Sequence, residues 1–199
     1  MNPDQEPPST AALAHPPTSL GHRKLVLRRR VLFAANLAAG VAFGYWVMGQ
    51  PSSRWAGALL ITLTCYTPCL FVAGLALSRT RRVARILSVY EWRAYPVSHQ
   101  QRSPDSPRVI TVRFAEESTL NFRVTLHSGN LARKQNTTPH MIWFAGDPRY
   151  GGVVSPVGGH FPVRVVPESP RSAVPRGTPE QDALAERAEL VRRGKVRTT

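Results

Sequence analysis

The chain is short of cysteine and lysine and lacks the residue spacings that catalysis or metal binding requires. Its two cysteines, Cys65 and Cys69, both fall inside one apolar run. No disulfide framework holds the polar remainder, as expected for a domain facing a reducing compartment. Only Lys24, Lys134 and Lys195 are lysines among 26 basic residues, so arginine carries the charge. Together with abundant Ala, Gly and Pro, that bias resembles proteins of GC-rich bacterial genomes. The histidines His15, His22, His99, His127, His140 and His160 show no metal-ligand spacing. His140 and His160 would meet Asp147 only if the neighbouring turns fold together. The glycine-rich stretches 146–152 and 157–160 lack the Lys-Ser/Thr and the following helix of a phosphate cradle, so they read as hairpin turns. The sequon Asn136-Thr137-Thr138 is irrelevant on a cytoplasmic segment. No acid or base lies inside either long apolar run, which argues against a proton or ion path through one copy. Catalytic, cofactor-binding and metal-ligating residues are therefore assigned as none.

What the chain does have is two apolar runs, Val31–Met48 and Ala56–Leu77, bracketed by arginines. Each is close to the roughly 20 residues that a helix needs to cross a bilayer core. Arg28, Arg29 and Arg30 precede the first run; Arg79, Arg81, Arg82 and Arg85 follow the second. The connection Gly49–Trp55 is short, forces an antiparallel hairpin and holds a single charge, Arg54. The positive-inside rule then puts the loop outside and both termini in the cytoplasm, giving a multi-pass protein of the inner (plasma) membrane. An export signal at Arg29-Arg30 is the competitor. The run continues through Phe43, Tyr45, Trp46 and Val47 without a small-residue cleavage site, which disfavours it. Tyr45, Trp46 and Trp55 suit the interfaces. The net charge of +14 is explained by topology and by contact of these seven arginines with anionic inner-leaflet lipid. No nucleic-acid partner is expected, because no basic helix or stacking platform stands out. Gly40-x-x-x-Gly44, with Asn36 nearby, predicts close helix packing against the second run, or alternatively a homodimer seam. Cys65 and Cys69, at i and i+4, share a helix face and would suit a soft metal ion, but no further ligand accompanies them. Pro68 between them is expected to bend the helix, with Thr64 or Thr67 taking freed carbonyls.

Residues 1–30 divide into a Pro-rich leader, expected to be disordered, and a basic approach to the bilayer. The hairpin occupies 31–77, and a basic segment with a β domain fills 78–168. Period-two alternation over Val89–Tyr95, Val109–Phe114 and Leu120–Leu126, and short apolar runs at Met141–Phe144, Val153–Val154 and Val163–Val166, predict about six strands. Turns are expected at 104–107, 128–130, 146–148 and 158–159. A flexible tail, 169–199, follows, with one short helix after a Pro-rich linker, 167–175. Thr178 caps it, Pro179 takes the first helical position and Gln181 the third. Leu184, Leu190 and Val191 give it only a narrow face, and Arg192, Arg193 and Gly194 suit its end. The predicted fold class is a two-helix transmembrane hairpin plus a small, mostly antiparallel β domain, as a barrel or two-layer sheet.

The leader, the arginine-flanked hairpin and the stretch Trp143–Val154 resemble uncharacterised small integral membrane proteins of actinobacteria, a resemblance that brings no functional residues with it. The layout is also similar to short NfeD-like proteins, in which membrane helices carry a small β-barrel. The leading expectation is a non-enzymatic adaptor or accessory protein whose β domain binds a protein partner or its own copies through exposed strand edges. The alternatives are a metal- or redox-responsive protein using Cys65 and Cys69, and an oligomeric pore or transport accessory subunit.

Overall fold

The structure, a computed structural model, describes residues 6–49, 51, 55, 57, 60, 62–99, 109–114, 119–124, 140–168 and 177–191. It divides into two compact units, Arg23–Arg81 and the combination of Met1–His22 with Arg82–Thr199. The predicted turns at 104–107 and 128–130, the sequon, Arg54 and the tail residues 192–194 lie outside the described residues.

Unit Arg23–Arg81 is helical. Helix α1, Pro16–Met48, begins in the other unit with two prolines at its first turn, where the missing N–H groups cost nothing. Leu27, Val31, Leu32, Leu37, Val41, Tyr45, Trp46 and Met48 are all exposed along it. An apolar surface of that length suits lipid and not water. Among the described residues, α1 is the one helix long and apolar enough to cross a membrane. Of the two predicted spans, only the first stands as a membrane-capable helix among the described residues. The second run is interrupted by a π-helical segment, Thr62–Tyr66, and helix α2, Thr67–Val89, has its apolar stretch cut off at Ser78 by the arginines. Residues 56, 58, 59 and 61 of that run lie outside the described residues. The π segment has a local cause in Pro68, which cannot donate to the helical ladder. The hydroxyls of Thr64 and Thr67 donate to the carbonyls of Leu60 (2.6 Å) and Thr62 (3.1 Å), not to the Thr64 carbonyl, to which Pro68 has no N–H to donate. Arg29 contacts Ala76, and Asn36 contacts Tyr66, so the two runs lie antiparallel.

The other unit is built on a closed six-stranded antiparallel barrel, in the order β1-β2-β3-β6-β5-β4. The strands are β1 Arg93–His99, β2 Val109–Arg113, β3 Thr119–Val124, β4 Met141–Asp147, β5 Gly151–Pro156 and β6 Val163–Pro167. Closure follows from pairings at both ends of the order: Tyr95 opposite Ile142 joins β1 to β4, and Arg123 opposite Val166 joins β3 to β6. A closed barrel has no free edge. The expectation that strand edges serve partner binding is corrected for that reason. Strand β1 also starts later than the alternation at Val89–Tyr95 implied. Val83, Ile86 and Leu87 are buried at helical spacing, and α2 continues to Val89.

Two apolar layers result. Inside the barrel lie Val97, Ile110, Val112, Leu120, Phe122, Ile142, Phe144, Val154, Val163 and Val165. Outside it, Trp143, Ala145 and Val153 pack with Val83, Ile86 and Leu87 of α2, with Ala12 and with Ala188. Strands β4 and β5 are thus apolar on both faces, which explains their short continuous apolar runs.

Candidate functional site

The barrel interior is filled by its own side chains. Tyr95 and Phe114 stand with ring centroids 4.7 Å apart, Phe114 and Phe144 at 5.2 Å, and Phe122 and Phe144 at 5.6 Å. Tilted and edge-to-face rings at these separations attract beyond their burial. Among the described residues, the aromatic rings fill the lumen between the strands.

Two polar nodes sit on the outer wall. The first is at the β4–β5 turn. Arg149 Nε and Nη2 donate to the Asp147 carboxylate at 3.0 and 2.6 Å, and Nη1 meets Asp182 at 2.7 Å. The Asp147 side chain is 5 % exposed and that of Arg149 12 %. Asp147 Oδ1 also accepts the Arg149 backbone N–H at 2.8 Å, so one carboxylate closes the turn and fixes the guanidinium. The hydrogen bond to Asp147 pushes the Arg149 pKa further up, and the guanidinium stacks 5.1 Å from the Tyr150 ring. Burial, reinforced by Asp147, pushes the Tyr90 phenol up, and its hydroxyl has no hydrogen-bond partner among the described residues.

Asp182 belongs to helix α3, Pro179–Arg187, which carries the predicted capping box: Thr178 accepts from the Gln181 N–H, and Gln181 accepts from the Thr178 N–H. The helix is no frayed tail, however. Ala185 and Ala188 are buried, Leu190 packs beside them, and Glu189 pairs with Arg85. The buried face is made of alanines, whose small side chains allow close approach without an obvious hydrophobic stripe. Beyond the C-cap Ala188, Glu189 lies in the left-handed region at φ 51°, and the Leu190 N–H bonds the Ala185 carbonyl.

The second node is formed by the leader. Residues 6–15 are not the expected disordered segment. A 3-10 turn at Ala12–Ala14 follows a bridge between Ala11 and Glu91, and the Ala12 N–H donates to Tyr90 at 2.9 Å. Ala12 covers apolar surface beside Trp92 and Trp143, which ties the leader to this unit. Thr18, fully buried, accepts from Trp92 Nε1 at 3.0 Å and lies 3.3 Å from His15 Nδ1. His15 stands edge-on to Trp143 at 5.5 Å, and burial lowers its pKa. The leader needs a close approach to the β5–β6 turn. Gly159, at φ +72°, leaves the space that Thr18 Oγ1 fills. Thr18→Val is expected to cost about 1–3 kcal/mol, because it strands the buried Trp92 N–H. Denaturant unfolding of the full chain in micelles, followed by tryptophan fluorescence, measures it; an unchanged midpoint would remove the leader from the stability of this unit.

Of the residues singled out from sequence, Gly40 lies against the Tyr66 ring, where any Cβ would overlap it. Asn36 binds Tyr66 through its backbone carbonyl, while its amide donates to Leu32 of its own helix at 2.8 Å. Gly44 has open space around it and packs against nothing described. Arg28, Arg30, Arg81 and Arg82 are exposed; Arg29 and Arg79 are half-buried; Arg85 is taken up by Glu189. Cys69 is free and exposed. His140 precedes β4 and Asp147 ends it, and Asp147 is committed to Arg149, so the histidine–aspartate grouping does not form. Among the described residues, no three His, Cys, Asp or Glu side chains gather as metal ligands. The Asp147–Arg149–Asp182 node and the Thr18–Trp92 bond escaped sequence reading. The single available signal was the Asp-Pro-Arg turn itself.

Comparison with family models, curated proteins and solved structures gave no match. The case for function therefore rests on this chain's own geometry.

Proposed function

We propose that this chain is a non-enzymatic membrane adaptor that crosses the bilayer twice and holds its barrel in the cytoplasm. The outer wall of the barrel is offered to a protein partner or to a second copy. The observation that carries this reading is that Ala12 and Thr18, before the first run, pack with Tyr90 and Trp92, after the second. A single crossing by α1 would leave these residues on opposite sides of the membrane. The chain between His22 and Arg82 must therefore cross an even number of times, and two apolar runs supply two crossings. The arginines at one end of the antiparallel pair favour the cytoplasm for that end. The filled lumen favours recognition by surface and not by an enclosed ligand.

Protease added to spheroplasts tests the topology. The fragment 82–199 is expected to survive until the membrane is opened by detergent, and cleavage there in sealed spheroplasts overturns the orientation. A photo-crosslinking residue at exposed Val166 on β6 tests the adaptor role. A discrete adduct with one protein or with a second copy is expected; a diffuse smear or no adduct counts against it.

A further inference from the structure

We infer that Arg29 and Arg79 form a clamp for the phosphodiester of one anionic lipid, at the arginine end of the antiparallel helices. The inference rests on the membrane reading above and narrows it from a diffuse basic surface to two side chains. Among the arginines flanking the runs, only these two are half-buried; Arg28, Arg30, Arg81, Arg82 and Arg85 are exposed. Arg29 Nη1 donates to the Ala76 carbonyl at 2.6 Å, which fixes its guanidinium across the gap between α1 and α2. Arg79 follows Ala76 by about one helical turn, and its charge opposes that of Arg29. No Asp or Glu occurs between Glu6 and Glu91, and among the described residues neither arginine is ion-paired with a carboxylate. Holding like charges together at a partly desolvated site is unfavourable unless an anion joins them. An Arg fork with N–H groups to spare fits phosphate oxygens in paired, coplanar fashion. Lipid is the source of that phosphate, because exposed Val31 and Leu32 on α1 and exposed Leu75 on α2 lie on the bilayer side of the arginines and present the surface that acyl chains cover.

The test uses the full chain reconstituted in phosphatidylcholine nanodiscs with increasing phosphatidylglycerol, reading bound lipid by native mass spectrometry after release. Wild type is expected to retain phosphatidylglycerol in preference to phosphatidylcholine. Arg79→Gln, which leaves the Arg29–Ala76 bond in place, is expected to raise the phosphatidylglycerol fraction needed for half-occupancy about fivefold, and Arg29→Gln/Arg79→Gln about 25-fold. Arg28→Gln/Arg30→Gln should shift it little. Equal shifts from the exposed pair, or none from Arg79→Gln, overturn the clamp. Displacement by glycerol phosphate at matching concentration would identify a free anion and overturn the lipid as its source. Alkaline carbonate separates the two layers of the argument. A chain stripped from membranes by carbonate refutes the membrane reading and the clamp together, whereas a carbonate-resistant chain without lipid preference refutes the clamp alone.

Discussion

Phe144→Ala is expected to abolish the cooperative unfolding of the barrel. Phe144 is 2 % exposed and meets Tyr95, Phe114 and Phe122, so its loss removes the ring that three others share. Truncating a buried Phe costs about 3–5 kcal/mol, and small domains hold only about 5–15 kcal/mol in total. About 80 residues of barrel sequence bury a modest core, which puts this domain near the lower end of that range. The full chain should still enter membranes, because the helices do not depend on this ring, but limited proteolysis should now digest the barrel. Phe144→Leu, which keeps most of the volume, should retain a cooperative transition at a lowered midpoint. If Phe144→Ala unfolds at the wild-type midpoint, the barrel interior is not the core described.

Arg149→Ala carries the second large effect. It leaves Asp147 buried with no counter-charge and releases Asp182, the polar tie between helix α3 and the β4–β5 turn. Breaking a buried pair by removing one partner costs about 3–5 kcal/mol, mostly as the cost of the orphaned charge. The cause is separable from lost contacts in general. Arg149→Ala/Asp147→Asn removes the orphaned charge, and Asn still accepts the residue-149 N–H that closes the turn. The double variant is therefore expected to be more stable than Arg149→Ala alone. A double variant as unstable as the single one would mean that packing of the arginine stem, and not charge, holds the node together.

The sequence was most legible where one physical rule acted alone. Apolar length and flanking arginines located the Val31–Met48 part of α1 but not its start at Pro16, and period-two alternation found β2 and β3 nearly to the residue. The capping box at Thr178 was readable because its chemistry is local. Reading failed where two rules competed. Val89 and Tyr90 alternate like a strand, yet Val83, Ile86 and Leu87 bind that stretch into a helix packed in the outer layer. The leader has the composition of a disordered segment, and its order depends on a few small residues that fit tryptophans distant in sequence. Helix α3 hid its buried face behind alanines. The Asp147–Arg149 node needed both a turn and a distant helix, and nothing in local spacing joins residues 149 and 182. The half-burial of Arg29 and Arg79 depends on helix rotation, which identical neighbouring arginines conceal.

The bond between Trp92 and Thr18 also sets a timetable for biosynthesis. The leader leaves the ribosome before the β5–β6 turn that receives it, which lies around Gly159, some 140 residues later. At roughly 5–20 residues per second, the leader waits about 7–28 s for its seat. That interval gives the apolar runs time to enter a bilayer before the leader docks. On the membrane reading proposed above, insertion thus comes before barrel closure, and docking of the leader is a late step in the maturation of this unit.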